Sequence, residues 1–262
     1  MAPEASKFST KRLTKNTLPD FERLFEKHPA PGAFSCWCTY HHRARPSVNE
    51  ELLSGVRRAA RNRQRRRELV ENESSHGILV YSKGEPVGWC QYGPREELPR
   101  FDNYRSYRRP ARESGAKRLW RITCFTVDRK HRQRGVASAA LKAALQAIRD
   151  GGGGIVEAYP IIRWGAYREY LGTVSMFQKE GFKVVAPFGK SNIVMRRSVK
   201  CGSPGPPTTR VVGKANSGNS GNSSSSSIGM SMRRGDHPSR GDGRGSLLTA
   251  RQVYSTVKGK GP

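Results

Sequence analysis

The sequence predicts an α/β fold in which helices flank a mixed, largely antiparallel sheet, followed by a tail of different composition. Short apolar runs of strand length alternate with longer segments whose apolar residues recur at helical spacing. Several of these runs come in pairs joined by short polar turns, which is typical of antiparallel hairpins. Of the 262 residues 35% are hydrophobic, which suffices for one compact core but not for a core along the whole chain.

The N-terminal part, residues 1–75, predicts a first strand and helices of the same domain. Residues 7–13 predict the strand, and residues 17–25 predict a short helix because their apolar side chains recur three and four positions apart. The run Phe-Ser-Cys-Trp-Cys-Thr-Tyr at 34–40 predicts an extended segment. Residues 47–74 predict a long helix with one partly apolar face and one arginine-rich face.

The second part, residues 76–200, predicts the centre of the domain. Two runs around a Lys-Gly turn predict a β-hairpin, and a strongly apolar strand follows after a long basic loop. A short basic loop then leads into an alanine-rich helix, which a run of glycines ends. In chain order, the expected elements are strands at 76–82, 86–93 and 118–128, a helix at 136–150, a strand at 154–160, a short helix near 173–180 and a final hairpin.

The third part, residues 201–262, predicts a disordered basic tail. It is rich in Pro, Gly and Ser and contains low-complexity polar stretches. Such a composition cannot bury enough apolar surface to offset the entropy lost on ordering.

The chain carries a formal net charge of +27 at pH 7, with 48 Lys and Arg against 21 acidic residues. Only nine of the basic residues lie in 201–262, so most of the excess belongs to the predicted folded part. A positive surface attracts polyanions, and nucleic acid, anionic lipid and an anionic cofactor such as coenzyme A all remain open on this ground alone.

The sequence also indicates a compartment. It has no apolar run of about 18 residues that would span a membrane, and its N-terminus has no apolar segment typical of a secretory signal. Five scattered cysteines form no disulfide framework. We therefore expect a cytoplasmic protein without a membrane partner.

The segment from Val127 to Ala137 carries the chemical signal. An apolar strand passes through a basic turn into a helix that begins with small residues. Backbone N–H groups point outward together at such a junction, and the helix dipole adds positive potential. Gly135 and Ala137 leave room for phosphate oxygens, and Arg132 and Arg134 supply positive charge. The pattern predicts a pyrophosphate site, although it is neither a Walker A loop nor a GxGxxG fingerprint.

The motif Arg132-x-x-Gly135-x-Ala137 resembles the Arg/Gln-x-x-Gly-x-Gly/Ala signature of the GNAT superfamily of N-acetyltransferases. The order of elements around it fits as well, and Met-Phe-Gln-Lys-Glu-Gly-Phe at 176–182 is similar to the Tyr-x-x-x-Gly-Phe segment of that family. The resemblance covers roughly residues 76–197. It implies a GNAT fold, in which strands 4 and 5 splay apart and the pantetheine arm of acetyl-CoA lies between them.

The resemblance also implies a cofactor site and a reaction. Backbone groups of Phe125, Thr126 and Val127 would contact pantetheine, and the pyrophosphate would lie among Arg132, Gln133, Arg134, Gly135, Val136 and Ala137. The implied reaction transfers acetyl from acetyl-CoA to a primary amine of a small molecule or a protein. It requires no metal.

The catalytic residues depart from the family pattern. Many members have a glutamate base in strand 4, but residues 119–127 contain none, so we take Glu157 in the next strand as the candidate base. The alternative is a carboxylate paired with an arginine. The position of the family's general-acid tyrosine holds Phe177. Tyr170 is our candidate acid, although Tyr159 or Tyr167 could replace it and each also fits a packing role.

Two alternatives stay open at this point. The arginine-rich helix at 57–67 and the tail could bind nucleic acid weakly, or the helix could be an ordinary solvated face. A GNAT scaffold without its usual catalytic residues could also serve as an acyl-CoA sensor.

The cysteines also allow a functional and a structural interpretation. Cys36 and Cys38 with the adjacent histidines lack a second ligand pair, so buried cysteines beside a tryptophan are expected rather than a zinc site. Cys124 could accept an acyl group or simply line the cleft.

Overall fold

The computed structural model describes residues 7–27, 36–45, 55–107, 118–162 and 170–201. Within these ranges the chain forms strands and helices in an alternating order. The strands are β1 (Ser9–Arg12), β2 (His76–Ser82), β3 (Glu85–Pro94), β4 (Leu119–Val127), β5 (Gly154–Ala158), β6 (Lys183–Phe188) and β7 (Asn192–Val199). The helices are α1 (Leu18–Glu26), α2 (Gly55–Glu71), α3 (Val136–Asp150) and α4 (Val174–Lys179). The expected disorder of 202–262 lies outside the described residues.

The seven strands form one sheet in the order β1-β2-β3-β4-β5-β7-β6. All neighbouring pairs are antiparallel except β4 and β5, which run parallel. The predicted α/β fold with a largely antiparallel sheet is therefore confirmed. The predicted β2–β3 hairpin closes at Lys83 and Gly84, which both have positive φ, as tight hairpin turns require.

Strands β4 and β5 pair over only part of their length. Their register runs from Leu119 opposite Ile155 to Ile122 opposite Ala158, where β5 ends. Strand β4 continues alongside β3 to Val127. Among the described residues, 123–127 thus have β3 on one side and no β5 partner on the other. The chain after β5 turns toward β7, where Ile161 forms a bridge with Asn192.

Helices cover both faces of the sheet. Helix α3 packs its alanine-rich side on β2, β3 and β4, with Leu141 and Ile148 fully buried. On the opposite face, α1 packs Phe21 against Trp89 of β3 with ring centroids 4.7 Å apart. Burying such side chains contributes about 2 kcal/mol each. No helix among the described residues is long and apolar enough to cross a membrane.

The described part of helix α2 differs from its predicted arginine-rich solvent face. Arg66 is fully buried and donates to the carbonyls of Trp37 and Cys38 at 3.1 and 2.7 Å. Arg63 and Arg67 donate to Glu22 of α1 at 2.6 and 2.7 Å. Three of the arginines therefore hold the fold together. The predicted beginning of this helix, at 47–54, lies outside the described residues.

The extended segment predicted at 34–40 is wrong for its described residues. Trp37 and Cys38 have φ values of 45° and 51°, in the left-handed region, and a 3₁₀ turn follows at Tyr40–His42. Arg66 supplies the physical reason, because its buried guanidinium needs two adjacent carbonyl acceptors. Tertiary hydrogen bonding overrides the strand preference of this run.

Candidate active site

The junction between β4 and α3 is a turn in which no side chain caps the beginning of the helix. The Asp128 carboxylate accepts the Lys130 N–H at 2.9 Å and begins a short 3₁₀ turn. Gln133 and Gly135 follow with φ values of 60° and 89°, and α3 begins at Val136. Gly135 is the N-cap and has no side chain, so no side-chain cap satisfies the first amides of α3. These amides remain available for an anion.

The junction also leaves space for a ligand. A Cβ built on Gly135 meets no atom within 4 Å, and the side chains of Arg132, Gln133 and Arg134 are exposed. By contrast, Val136 is buried against Gly88 of β3, where a Cβ would lie 2.2 Å from Val136 Cγ1. The start of α3 is thus fixed to the sheet while its amides stay open. This arrangement fits a pyrophosphate.

The cofactor residues predicted in β4 lie at the opening between β4 and β5. Phe125 and Thr126 have buried side chains, and Phe125, Thr126 and Val127 pair with Cys90, Trp89 and Gly88 of β3. Along a strand, backbone groups point alternately to either side, so those directed away from β3 face the opening. The structure thereby brings all nine predicted cofactor residues to one end of β4 and the beginning of α3.

Glu157 lies on β5 and is fully buried. Its Oε1 accepts the Nε–H of Arg196 at 2.6 Å. Its Oε2 accepts the hydroxyl of Tyr159 at 2.7 Å and also that of Tyr107. With three donors, both carboxylate oxygens are occupied. The candidate base therefore has an arginine partner, and its catalytic role stays a prediction.

Arg121 of β4 stands opposite Glu157 in the register and completes this buried group. Its guanidinium donates to the Leu98 carbonyl at 2.6 Å, to Asp102 at 2.7 Å and to the Tyr159 hydroxyl at 3.1 Å. Burial alone lowers the pKa of Arg121, but the adjacent tyrosines and Asp102 outweigh it and raise that pKa above its ordinary value. The cation therefore stays charged.

A segment that the sequence predicts only as a loop covers these groups. Residues 99–107 form two short 3₁₀ turns, and Phe101 stacks on Tyr159 with ring centroids 3.7 Å apart. Tyr107 is fully buried. Burial and the adjacent Glu157 carboxylate raise the pKa of both Tyr107 and Tyr159, so both hydroxyls keep their protons. The predicted basic, aromatic-dotted loop indicated none of these contacts.

The candidate acids apart from Tyr159 lie further along the chain. Tyr170 is half-buried at the beginning of the last described range, and Tyr167 lies outside the described residues. Phe177 is fully buried, with ring centroids 6.0 Å from Phe125 and 5.2 Å from Phe182. An apolar core therefore occupies the position of the family's tyrosine, and the role of Tyr170 as acid remains a prediction.

Spacing in the sequence did not reveal a buried polar chain that leads to β4. Gln91 Nε2 donates a hydrogen bond to His42 Nε2 at 2.9 Å, and Gln91 Oε1 accepts one from the Thr123 hydroxyl at 2.8 Å. Burial and nearby arginines lower the pKa of His42, and they lower the pKa of His41 to about 3. Both histidines are neutral. Within the described ranges, no three His, Cys, Asp or Glu residues are placed to hold a metal.

Cavity volume does not mark the junction. Two cavities of about 410 and 300 Å³ lie beside Leu13, Thr14 and His76. His76 begins β2, at the end of the sheet opposite to Gly88 and Val127. We favour the junction because it combines uncapped amides, basic side chains and open space, whereas the cavities show no such combination.

Comparison with known proteins identifies the family. The sequence profile of the acetyltransferase (GNAT) family matches residues 40–182. No curated protein sequence matches the chain. The chain belongs to the GNAT acetyltransferase family, because this match covers more than half of its length. Its fold and family define an acyltransferase.

Several solved structures are similar. One is described as an acetyltransferase of the GNAT family from Desulfovibrio desulfuricans; it has 15% identity and a TM-score of 0.45, with 73% of this chain and 99% of that chain covered. An N-acetyltransferase from Staphylococcus aureus Mu50 has 14% identity and a TM-score of 0.43, with 74% and 100% covered. The ribosomal-protein-S18-alanine N-acetyltransferase from Escherichia coli has 9% identity and a TM-score of 0.41, with 75% and 96% covered.

Proposed function

We propose that the protein is an N-acetyltransferase that transfers acetyl from acetyl-CoA to a primary amine of a small molecule or a protein. The observation that carries the proposal is the uncapped beginning of α3 at Gly135, directly beside the opening between β4 and β5. A pyrophosphate needs clustered N–H donors and positive charge, and the pantetheine arm needs unpaired strand backbone. Both requirements meet at one end of β4.

The residues divide this work. The amides of Gly135, Val136 and Ala137 would bind phosphate oxygens, and Arg132 and Arg134 would neutralise their charge. The backbone of 125–127 would hold the pantetheine arm. The amine nitrogen then attacks the thioester carbonyl, the C–S bond breaks, and the amine loses a proton while the thiolate leaves.

The reaction also needs a proton acceptor, and Glu157 is our candidate. Glu157 pairs with Arg196, and its two oxygens already accept three hydrogen bonds. A water molecule between the amine and the carboxylate would have to reach Oε1, because Oε2 already accepts the hydroxyls of Tyr107 and Tyr159. Tyr170 is proposed to protonate the leaving thiolate, a step that is dispensable if water supplies the proton.

Calorimetric titration of acetyl-CoA into the full chain at two salt concentrations tests the proposal. We expect saturable one-to-one binding that survives moderate salt, because the donors are fixed amides as well as side-chain charges. Binding that vanishes with salt would reduce the junction to a charge patch and favour the nucleic-acid alternative.

A second candidate function is acyl-CoA sensing. Two features favour a sensor: Phe177 is buried at the acid position, and Glu157 already accepts three hydrogen bonds. It predicts that acetyl-CoA binds while no amine in a panel of small molecules and peptides is acetylated. Steady turnover of any amine in that panel would exclude it.

A further inference from the structure

Cys36 and Cys38 meet Cys124, a cysteine from a distant part of the chain, on the α1–α2 face of the sheet. The Cys38 thiol donates to the Cys124 sulfur at 3.3 Å, and the Cys38 backbone N–H donates to the Cys36 sulfur at 3.3 Å. All three are free thiols. Cys38 is buried and Cys124 is half-buried.

The backbones on both sides of the Cys38–Cys124 contact are held in place. The Cys38 carbonyl accepts from Arg66 and from Gln91, each at 2.7 Å. Cys124 stands opposite Gln91 in the β3–β4 register. A disulfide bond is about 2.05 Å long, so the sulfurs need to approach by roughly 1 Å, which side-chain rotation can supply.

A buried cation lies next to these thiols. Arg66 is enclosed between the rings of Phe21 and Trp89, with its guanidinium carbon 5.2 and 5.7 Å from their centroids. Among the residues that the structure describes, no carboxylate pairs with it. Burial raises the pKa of Cys38, and the positive charge of Arg66 works against that rise. The net effect is a raised pKa, so Cys38 stays a thiol that donates to Cys124, which is the more exposed of the two.

We propose that Cys38 and Cys124 form a thiol–disulfide pair that hydrogen peroxide oxidises. The Cys124 thiolate attacks one peroxide oxygen, which gives a sulfenic acid and releases water after protonation. Cys38 sulfur then attacks Cys124 sulfur, the S–O bond breaks, and the oxygen leaves with the Cys38 proton as a second water. Two thiols lose two electrons and two protons in total, and the peroxide takes up both.

The bond would affect acyl transfer because of its location. Cys124 directly precedes Phe125, Thr126 and Val127, and Cys38 belongs to the segment that carries His42. A disulfide would tie this segment to β4 beside the opening. This consequence rests on the proposed function, whereas the formation of the bond does not.

The first test maps the bond. Cys36 and Cys38 would share a proteolytic peptide, so the full-length chain carrying Cys36→Ser and Cys201→Ser serves as background. After treatment with hydrogen peroxide and alkylation of the remaining thiols, we expect one cross-linked peptide pair joining Cys38 and Cys124, and monomeric protein. The thermal midpoint should rise by about 5 °C or more, reversed by dithiothreitol. Further substitution with Cys124→Ser should abolish both changes.

The outcomes are distinct. Alkylation of both Cys38 and Cys124 after peroxide treatment, or oxidation of Cys124 that stops at sulfinic acid, would overturn the pair. If the bond forms, acetyl transfer by the oxidised protein should fall at least several-fold and recover on reduction. Transfer that is unchanged by the bond would overturn its regulatory effect. Absence of acetyl-CoA binding in both redox states would instead contradict the proposed function and leave the mapped bond standing.

Discussion

The β4–α3 junction, residues 128–137, and the Glu157 network, which consists of Tyr107, Arg121, Glu157, Tyr159 and Arg196, are opposite kinds of polar structure. The junction has N–H donors without side-chain acceptors and a glycine with open space around it. In the network, both oxygens of a buried carboxylate are occupied by three donors. Amides without a side-chain cap can bind an anionic ligand, whereas a buried carboxylate that already accepts three hydrogen bonds contributes to the fold.

The two regions also differ in how they are assembled. The junction consists of consecutive residues, so local turn conformation and one helix end create it. The network draws on β4, β5, β7 and the segment 99–107, which only the sheet order brings together. A substitution should therefore act mainly on ligand affinity in the first region and mainly on stability in the second.

The largest effect on stability is expected for Glu157→Gln. It removes the counter-charge of Arg196, whose side chain is only 13% exposed, so we expect a loss of about 3 kcal/mol in the free energy of unfolding, measured by urea denaturation. Exposed Glu71→Gln is the control, with a change within about 0.5 kcal/mol. If Glu157→Gln keeps its stability and instead lowers the rate of acetyl transfer about 100-fold or more, the network is catalytic machinery.

The next largest effect is expected for Gly135→Glu. It places a carboxylate against the pyrophosphate, and acetyl-CoA affinity should fall about 100-fold or more, or about 2.7 kcal/mol. The positive φ adds strain of about 1 kcal/mol but no clash. Gly189→Glu is a matched control, because that glycine also has positive φ and open surroundings but lies in the β6–β7 turn at the sheet edge. Equal affinities of the two variants would remove the phosphate assignment.

A smaller, pH-dependent effect is expected from the ion pairs that Glu22 of α1 forms with Arg63 and Arg67 of α2. Hydrogen bonds and charges from Arg67 and Arg63 lower the pKa of Glu22 to about 2, below its ordinary 4.5. A depressed pKa contributes stability above the unfolded-state value, and this contribution is lost as the pH falls from about 4.5 toward 2. Glu22→Gln should cost about 1 kcal/mol at pH 7, because both arginines are partly exposed. The difference should shrink in urea titrations at pH 3, and a constant difference would contradict the ion-pair account.

The smallest effect is expected on deleting residues 202–262. If that segment is a disordered tail, the thermal midpoint and the acetyl-CoA affinity should stay unchanged. Calorimetry of the shortened chain beside the full chain measures both quantities. A drop of several degrees would show that the tail packs on the domain.

The elements with strong local signals were predicted well. The β2–β3 hairpin, α3 and the closing hairpin all form where the sequence indicates, because turn glycines and apolar periodicity act over a few residues. The segment 34–40 is predicted as extended, but its described residues, from 36 onward, form left-handed and 3₁₀ turns instead. Arg66 decides that conformation from 28 or 29 positions away, and no local propensity contains such information.

The sequence by itself determined the α/β fold, the position of the β4–α3 junction and the departures from the family's acid and base. These follow from residue types at short spacing, and their physics is local. Tertiary structure alone decided that Glu157 accepts three hydrogen bonds, that Arg66 is buried beside three thiols and that Cys38 contacts Cys124. The reason is that hydrogen bonds and sulfur contacts depend on which strands and helices become neighbours, and that order is a property of the whole sheet.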